Sequence, residues 1–147
     1  MNIHHDFEEF LQLLNAEEVE YLVVGGYAIA FFGYPRATND MDIFFNDSEE
    51  NITRLAQALE RFGLKISDEQ KQQFFDPGSR IQLGIQPVCL ELINRISGVK
   101  FQKAWSNRTS GRYGEISIHY ISLEDLIINK KSSGRPKDLA DIDELGF

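Results

Sequence analysis

Apolar positions in this 147-residue chain switch repeatedly between a helical period and short strand-like runs. Phe7, Phe10, Leu11 and Leu14 stand at helical spacing behind Asp6 and Glu9, which read as a capping box, so residues 7 to about 19 predict an amphipathic helix. Residues 21–24 form a β-branched strand that ends at Gly25-Gly26. Residues 27–32 read as a buried helix stopped by Gly33 and Pro35. Residues 41–45 read as a second strand, apolar on both faces apart from Asp40 and Asp42. Asp47 and Glu50 then start a helix with Ile52, Leu55, Ala56 and Leu59 on one face, and Gly63 ends it.

The second half follows the same grammar. Residues 64–67 predict a short strand, and residues 68–75 a polar helix or loop. Asp76-Pro77-Gly78-Ser79 is a turn. Strands are expected over 81–85 and 88–93, around Gln86-Pro87, and over 116–121. A short helix over 98–107 carries Phe101 and Trp105, read as core, and Ser122 with Asp125 caps another through Lys130. Pro136 opens a final helix with Leu139, Ile142 and Leu145. No repeat, low-complexity tract or linker breaks the pattern, which predicts one α+β domain over residues 1–147.

Composition, 42% hydrophobic and 26% charged, is that of a soluble globular protein. No apolar stretch approaches the roughly 20 residues of a membrane span. The first residues lack a basic segment followed by an apolar core, which argues against a secretory signal. The single Cys89 excludes an internal disulfide, fits a reducing cytoplasm and reads as a buried structural thiol. His4, His5 and His119 have no ligand spacing. A net charge of −8 argues against broad nucleic-acid binding, yet leaves room for a nucleotide cleft in which Mg²⁺ offsets clustered acids. Residues 130–137 carry four cations and no acid.

Chemistry concentrates in the stretch from Val23 to Phe45. Asp40 and Asp42, at i and i+2 on a strand, point to one face about 7 Å apart at a rise of about 3.3 Å per residue. That makes a platform for divalent cations, and two acids in so apolar a strand otherwise cost several kcal/mol of desolvation. The alternatives are a solvated strand edge, or Asp40 capping a turn. Gly25-Gly26 lets the backbone approach a phosphate before a helix N-terminus, or is simply a tight strand-to-helix turn. Phosphate cradle and metal-holding carboxylates together are the toolkit of nucleotidyl transfer.

Gly25-Gly26, a 13-residue gap, then Asp40-x-Asp42 followed by an apolar residue resembles the signature of the nucleotidyltransferase superfamily with the DNA polymerase β-like fold. Gly33-Tyr34-Pro35-Arg36-Ala37-Thr38-Asn39-Asp40-Met41-Asp42 is similar to the Gly-x-x-Arg-x-Thr-x-Asp-x-Asp element of minimal prokaryotic members, among them abortive-infection toxins. The stretches 96–108 and 126–141 resemble a compact bacterial branch, so the likeness covers about residues 20–145. It implies a mixed sheet flanked by helices, and a Mg²⁺-dependent transfer of NMP from an NTP to an RNA, tRNA or protein acceptor. It also implies a toxin–antitoxin context, with a cognate antitoxin as partner.

By the same resemblance Asp40, Asp42 and Glu91 are the catalytic, metal-holding acids for two Mg²⁺ ions. Glu91 departs from the Asp common in this branch, and its extra methylene moves the carboxylate by about an ångström. Gly25, Gly26, Arg36, Thr38, Lys130 and Arg135 are the implied nucleotide-binding residues. For Arg36 a surface ion pair is the alternative; for the cations at 130–137 it is a solvated helix end. Asp138 reads as a first-turn acid or as a ligand. Two rivals remain open at this point. One is a catalytically silent nucleotide-binding or protein-interaction module; the other is an antitoxin, against which stands Gly-Gly in place of that branch's Gly-Ser.

Overall fold

The computed structural model describes residues 4–34, 40–84 and 89–147. Among them, six strands form one mixed sheet in the order β3-β4-β2-β1-β6-β5. The strands are β1 (Tyr21–Val24), β2 (Asp40–Phe45), β3 (Arg80–Leu83), β4 (Cys89–Ile93), β5 (Thr109–Tyr113) and β6 (Ile116–Tyr120). β1 runs antiparallel to β2 and parallel to β6, while β2 runs parallel to β4. β3 and β5 close the two edges in antiparallel pairs. The three central strands read as nearly unbroken apolar runs because both of their faces are covered.

The helices are α1 (His5–Ala16), α2 (Gly25–Phe31), α3 (Glu49–Phe62), α4 (Asp68–Gln73), α5 (Phe101–Ser106), α6 (Leu123–Ser133) and α7 (Pro136–Glu144). Phe7, Phe10, Leu11 and Leu14 of α1 are buried, as are Ile52, Leu55 and Leu59 of α3; the two helices pack together, with Phe10 edge-on to Phe62, while Phe7 meets Tyr27 of α2. Each such side chain contributes roughly 1.5–3 kcal/mol. Buried Asn51 ties the start of α3 to the sheet: its amide donates to the Glu20 and Asn46 carbonyls and accepts from Glu20 N–H.

Several expectations are corrected. The capping box at Asp6 and Glu9 does not form, because α1 begins at His5 with His4 as its cap and no side-chain cap bond. Ser48, rather than Asp47, caps α3. Residues 64–67 are not a strand: Gly63, at φ +102°, turns the chain, Leu64 N–H returns to the Leu59 carbonyl, and Ser67 starts a true capping box for α4. α2 begins at Gly25 itself. α6 continues past Lys130 to Ser133, ended by Gly134. β5 went unpredicted, since Thr-Ser-Gly-Arg-Tyr has no apolar alternation. Its place comes from pairing with β6, and Gly111 leaves room for the Phe31 ring, which stacks on Tyr120. The stop at Pro35, the turn at Gln86-Pro87 and the strand ends at 85 and 88 lie outside the described residues.

Candidate active site

The site grows from the end of β1 and from β2. Val24 stands opposite Asp42 in the antiparallel register, and the chain turns into α2 at the next residue, Gly25. Gly25 has φ +66°, and a Cβ there would lie 2.2 Å from Asp42 Oδ2, so only glycine leaves this carboxylate its space. In the parallel register Asp42 is paired with Glu91 of β4, and Asp40 with Cys89. Arg80, across on β3, donates from Nη1 to Glu91 Oε1 at 2.8 Å. Asp42 Oδ1 is buried and has no hydrogen-bond partner among the described residues. The Asp42 carboxyl is pushed up to about 7, first by burial, then by its hydrogen bond with Glu91 and that residue's charge; Arg80 works in the opposite direction.

Facing Asp42 is a wall built by α6 and by Arg135, the N-cap of α7. A cleft of about 290 Å³ is lined by Gly25, Asp42, Arg80, Lys130, Ser133 and Arg135 among others. Lys130 is buried rather than solvated. Its Nζ donates to Asp138 Oδ1 at 3.0 Å and lies 3.2 Å from Asp141 Oδ2. Arg135 donates from Nε to Asp138 Oδ2 at 2.8 Å and from Nη2 to Oδ1 at 3.3 Å, and Ser133 Oγ donates to Oδ2 as well. Burial alone would raise the Asp138 carboxyl, but the hydrogen bonds from Arg135, Ser133 and Lys130 outweigh it and hold the group well below the usual carboxylate range. The Arg135 guanidinium is held charged chiefly by Asp138, and the charge of Asp42 adds to that across the cleft.

Four of the sequence-selected residues, Gly25, Asp42, Lys130 and Arg135, therefore line one cleft. Asp40, Gly26 and Glu91 stand outside its lining, with Glu91 reaching it through Asp42 and Arg80. Arg36 and Thr38 lie outside the described residues. Arg80, Ser133, Asn129 and Ser97 are cleft residues that sequence reasoning missed. Nothing in their local spacing marks them, because they come from separate parts of the chain; Asn129 and Ser97 meet across 32 residues, where Asn129 Nδ2 donates to the Ser97 carbonyl at 3.0 Å. His119 is half-buried between Tyr21 and Trp105, and burial lowers its pKa. Phe101 and Trp105, expected in the core, are only partly buried, with Arg108 lying 3.9 Å over the Trp105 ring. Cys89 is buried, as expected.

Among the described residues no three His, Cys, Asp or Glu side chains form a preformed metal cage. The donors nevertheless fit a hard divalent cation such as Mg²⁺, which takes one or two carboxylates and completes its shell with water and substrate phosphates. An orphaned buried carboxylate oxygen is the group such an ion would satisfy.

Over residues 2–147 the chain matches the family described as nucleotidyltransferase of unknown function (DUF6036). It belongs to that family. The six-stranded sheet with its helices also matches solved nucleotidyltransferase structures. The lincosamide antibiotic adenylyltransferase LnuA, in its lincomycin-bound crystal structure, aligns at TM-score 0.63 and 19% identity, covering 99% of this chain and 98% of that one. A proposed nucleotidyltransferase from Thermotoga maritima aligns at TM-score 0.63 and 17% identity, covering 97% and 94%. No curated protein sequence matches the chain. Family and fold together support a nucleotidyltransferase enzyme. Among the described residues no helix is long and apolar enough to cross a membrane.

Proposed function

We propose that this nucleotidyltransferase transfers NMP from an NTP to an acceptor hydroxyl, in the cytoplasm, with Mg²⁺ held at Asp42 and Asp40. The observation that carries the proposal is the buried, unpartnered Asp42 Oδ1 opposite Gly25, in a cleft whose far wall presents Lys130 and Arg135. When bound, the metal supplies charge neutralisation at the α-phosphate and a lowered pKa for the attacking hydroxyl. The chain's own residues supply position. Gly25 keeps the Asp42 carboxylate unobstructed, and backbone N–H groups of Gly25 and Gly26 are available to phosphates at the start of α2. Lys130 and Arg135 neutralise the triphosphate and the leaving pyrophosphate. Arg80 holds Glu91 beside Asp42, where Glu91 is the third acid for the metal; with no cation bound, its hydrogen bond and charge favour a proton on Asp42 instead. A second cleft of about 630 Å³, lined by Phe44, Phe101 and Arg95 among others, shares Ile96 with the first, which supports it as the acceptor side of this reading.

RNA, tRNA or a protein side chain as acceptor, and a toxin–antitoxin context with a cognate antitoxin, belong to the same proposal. One experiment tests it: incubation of the purified protein with each α-labelled NTP, Mg²⁺ and either total RNA or cell lysate. Label should enter one macromolecular fraction and require both Mg²⁺ and Asp42. Tight NTP binding with no labelled product for any nucleotide would instead support a silent nucleotide-binding module.

A further inference from the structure

We propose that Asp138 is a positioning residue for the nucleotide's phosphates: one buried carboxylate behind the cleft, itself held by Ser133, aims Arg135 into it and shares Lys130. This rests on the nucleotide reading of the cleft given above. Asp138 is 0% exposed, so it cannot touch substrate itself. Its three partners, Lys130, Ser133 and Arg135, do line the cleft. The local chain makes this convergence possible. Gly134, at φ +63°, ends α6 and reverses the backbone, Arg135 becomes the N-cap of α7, and Asp138 follows one turn later with its carboxylate under the last turn of α6.

The three partners do not depend on Asp138 equally. Lys130 is also paired with Asp141, so its place is doubly determined. Arg135 has a side chain 68% exposed, and alone would sample many rotamers. Its Nε and Nη2 both engage Asp138, one on each carboxylate oxygen. That grip fixes the guanidinium plane and leaves the Nη1 donors for a ligand. Ser133 spends its single proton on Asp138, so it helps to hold that carboxylate and keeps no donor for a phosphate. Arg135 is therefore the channel through which the loss of Asp138's charge should reach a bound phosphate.

The test is a double-mutant cycle read by calorimetric titration of the full chain with magnesium tripolyphosphate, which carries no base and undergoes no transfer. Asp138→Asn, nearly isosteric, should weaken binding about tenfold in the otherwise unchanged protein and less than about twofold in the Arg135→Ala background. Equal losses in both backgrounds, or no loss in the first, would overturn the proposal while leaving the nucleotide reading intact. Absence of tripolyphosphate binding by the unaltered protein would overturn that reading, and this proposal with it. Should Asp138→Asn fail to fold, Arg135→Lys carries the test, because residue 135 is exposed. Lysine keeps the charge but cannot fork onto Asp138, so it should bind several-fold more weakly than the unaltered protein. Full affinity in Arg135→Lys would show that only charge, and not aim, matters.

Discussion

Asp42 and Glu91 meet across two parallel strands with Arg80 at their edge, whereas Asp138 and Asp141 come from one helix and share the buried Lys130, with Arg135 and Ser133 added to Asp138. Of these four acids only Asp42 lines the cleft, the others standing behind its walls, and both pairs are largely withdrawn from water. Yet burial and the neighbouring acid push Asp42 up to about 7, while three donors hold Asp138 far down. The first pair is left short of positive charge, and the second has it in full. The proposed cation therefore belongs at the Asp42–Glu91 pair, where Gly25 leaves the Asp42 carboxylate room, and not at Asp138 and Asp141, whose charge Lys130 and Arg135 already balance.

The largest expected effect comes from removing charge at the unsatisfied pair. On the proposed mechanism, Asp42→Asn should lower label transfer by about a thousandfold or more, because the metal would lose its central ligand. The same variant should melt at a higher temperature than the unaltered protein in metal-free buffer and lose the rise that Mg²⁺ gives the latter. An active Asp42→Asn protein would dissolve the contrast between the two pairs.

Lys130→Ala attacks the saturated pair and should behave oppositely. It leaves two buried carboxylates without their shared cation and should cost about 3 kcal/mol in denaturant unfolding, Mg²⁺ present or absent. A Lys130→Ala protein as stable as the original would mean that Asp138 is satisfied by Arg135 and Ser133 alone.

Acidity separates the pairs without mutation. Asp42 binds its proton more tightly folded than unfolded, so its contribution is complete below the unfolded value of 3.8 and is lost as pH rises through about 7. The metal-free protein should therefore lose about 1–2 kcal/mol between pH 5 and pH 8, a slope absent from Asp42→Asn. Asp138 has the reverse sign: its contribution is complete above the ordinary carboxylate range and is lost as acid protonates it. A flat profile from pH 5 to 8 would contradict the crowding at Asp42.

Gly25→Ala should cost about 1–2 kcal/mol through its left-handed backbone, and the added Cβ must also displace Asp42 Oδ2. Melting temperature and Mg²⁺ response should fall together; a variant that loses only stability would separate the turn from the carboxylate. Arg80→Gln is the smallest effect, under about 1 kcal/mol for a side chain 57% exposed. Its signature is an upward shift of the metal-free pH midpoint, since Arg80's charge now holds Asp42 down.

The helices and central strands were legible because their signals are local. The apolar face of α1, the run into Gly25-Gly26 and the paired acids of β2 each depend on neighbours within a few residues. The edges were harder to read. β5 has no apolar alternation, the 64–67 stretch has strand-like residues but forms no strand, and the cap of α1 is His4, two residues before Asp6.

The sequence by itself determined the inventory: two acids two apart on a buried strand, a third on another strand, a glycine pair, and a basic stretch after a helix. Those are matters of composition and spacing, and spacing fixes which side chains share a face of one element. Tertiary structure alone decided which elements lie side by side, and so what each charge meets. The parallel pairing of β2 and β4 set Glu91 against Asp42, β3 brought Arg80 to Glu91, and the reversal at Gly134 folded Asp138 under Lys130. Ionisation and desolvation act through space over a few ångströms, whatever the separation along the chain. For that reason the protonation of Asp42 and the burial of Lys130 could be read only once the sheet and the last two helices were in place.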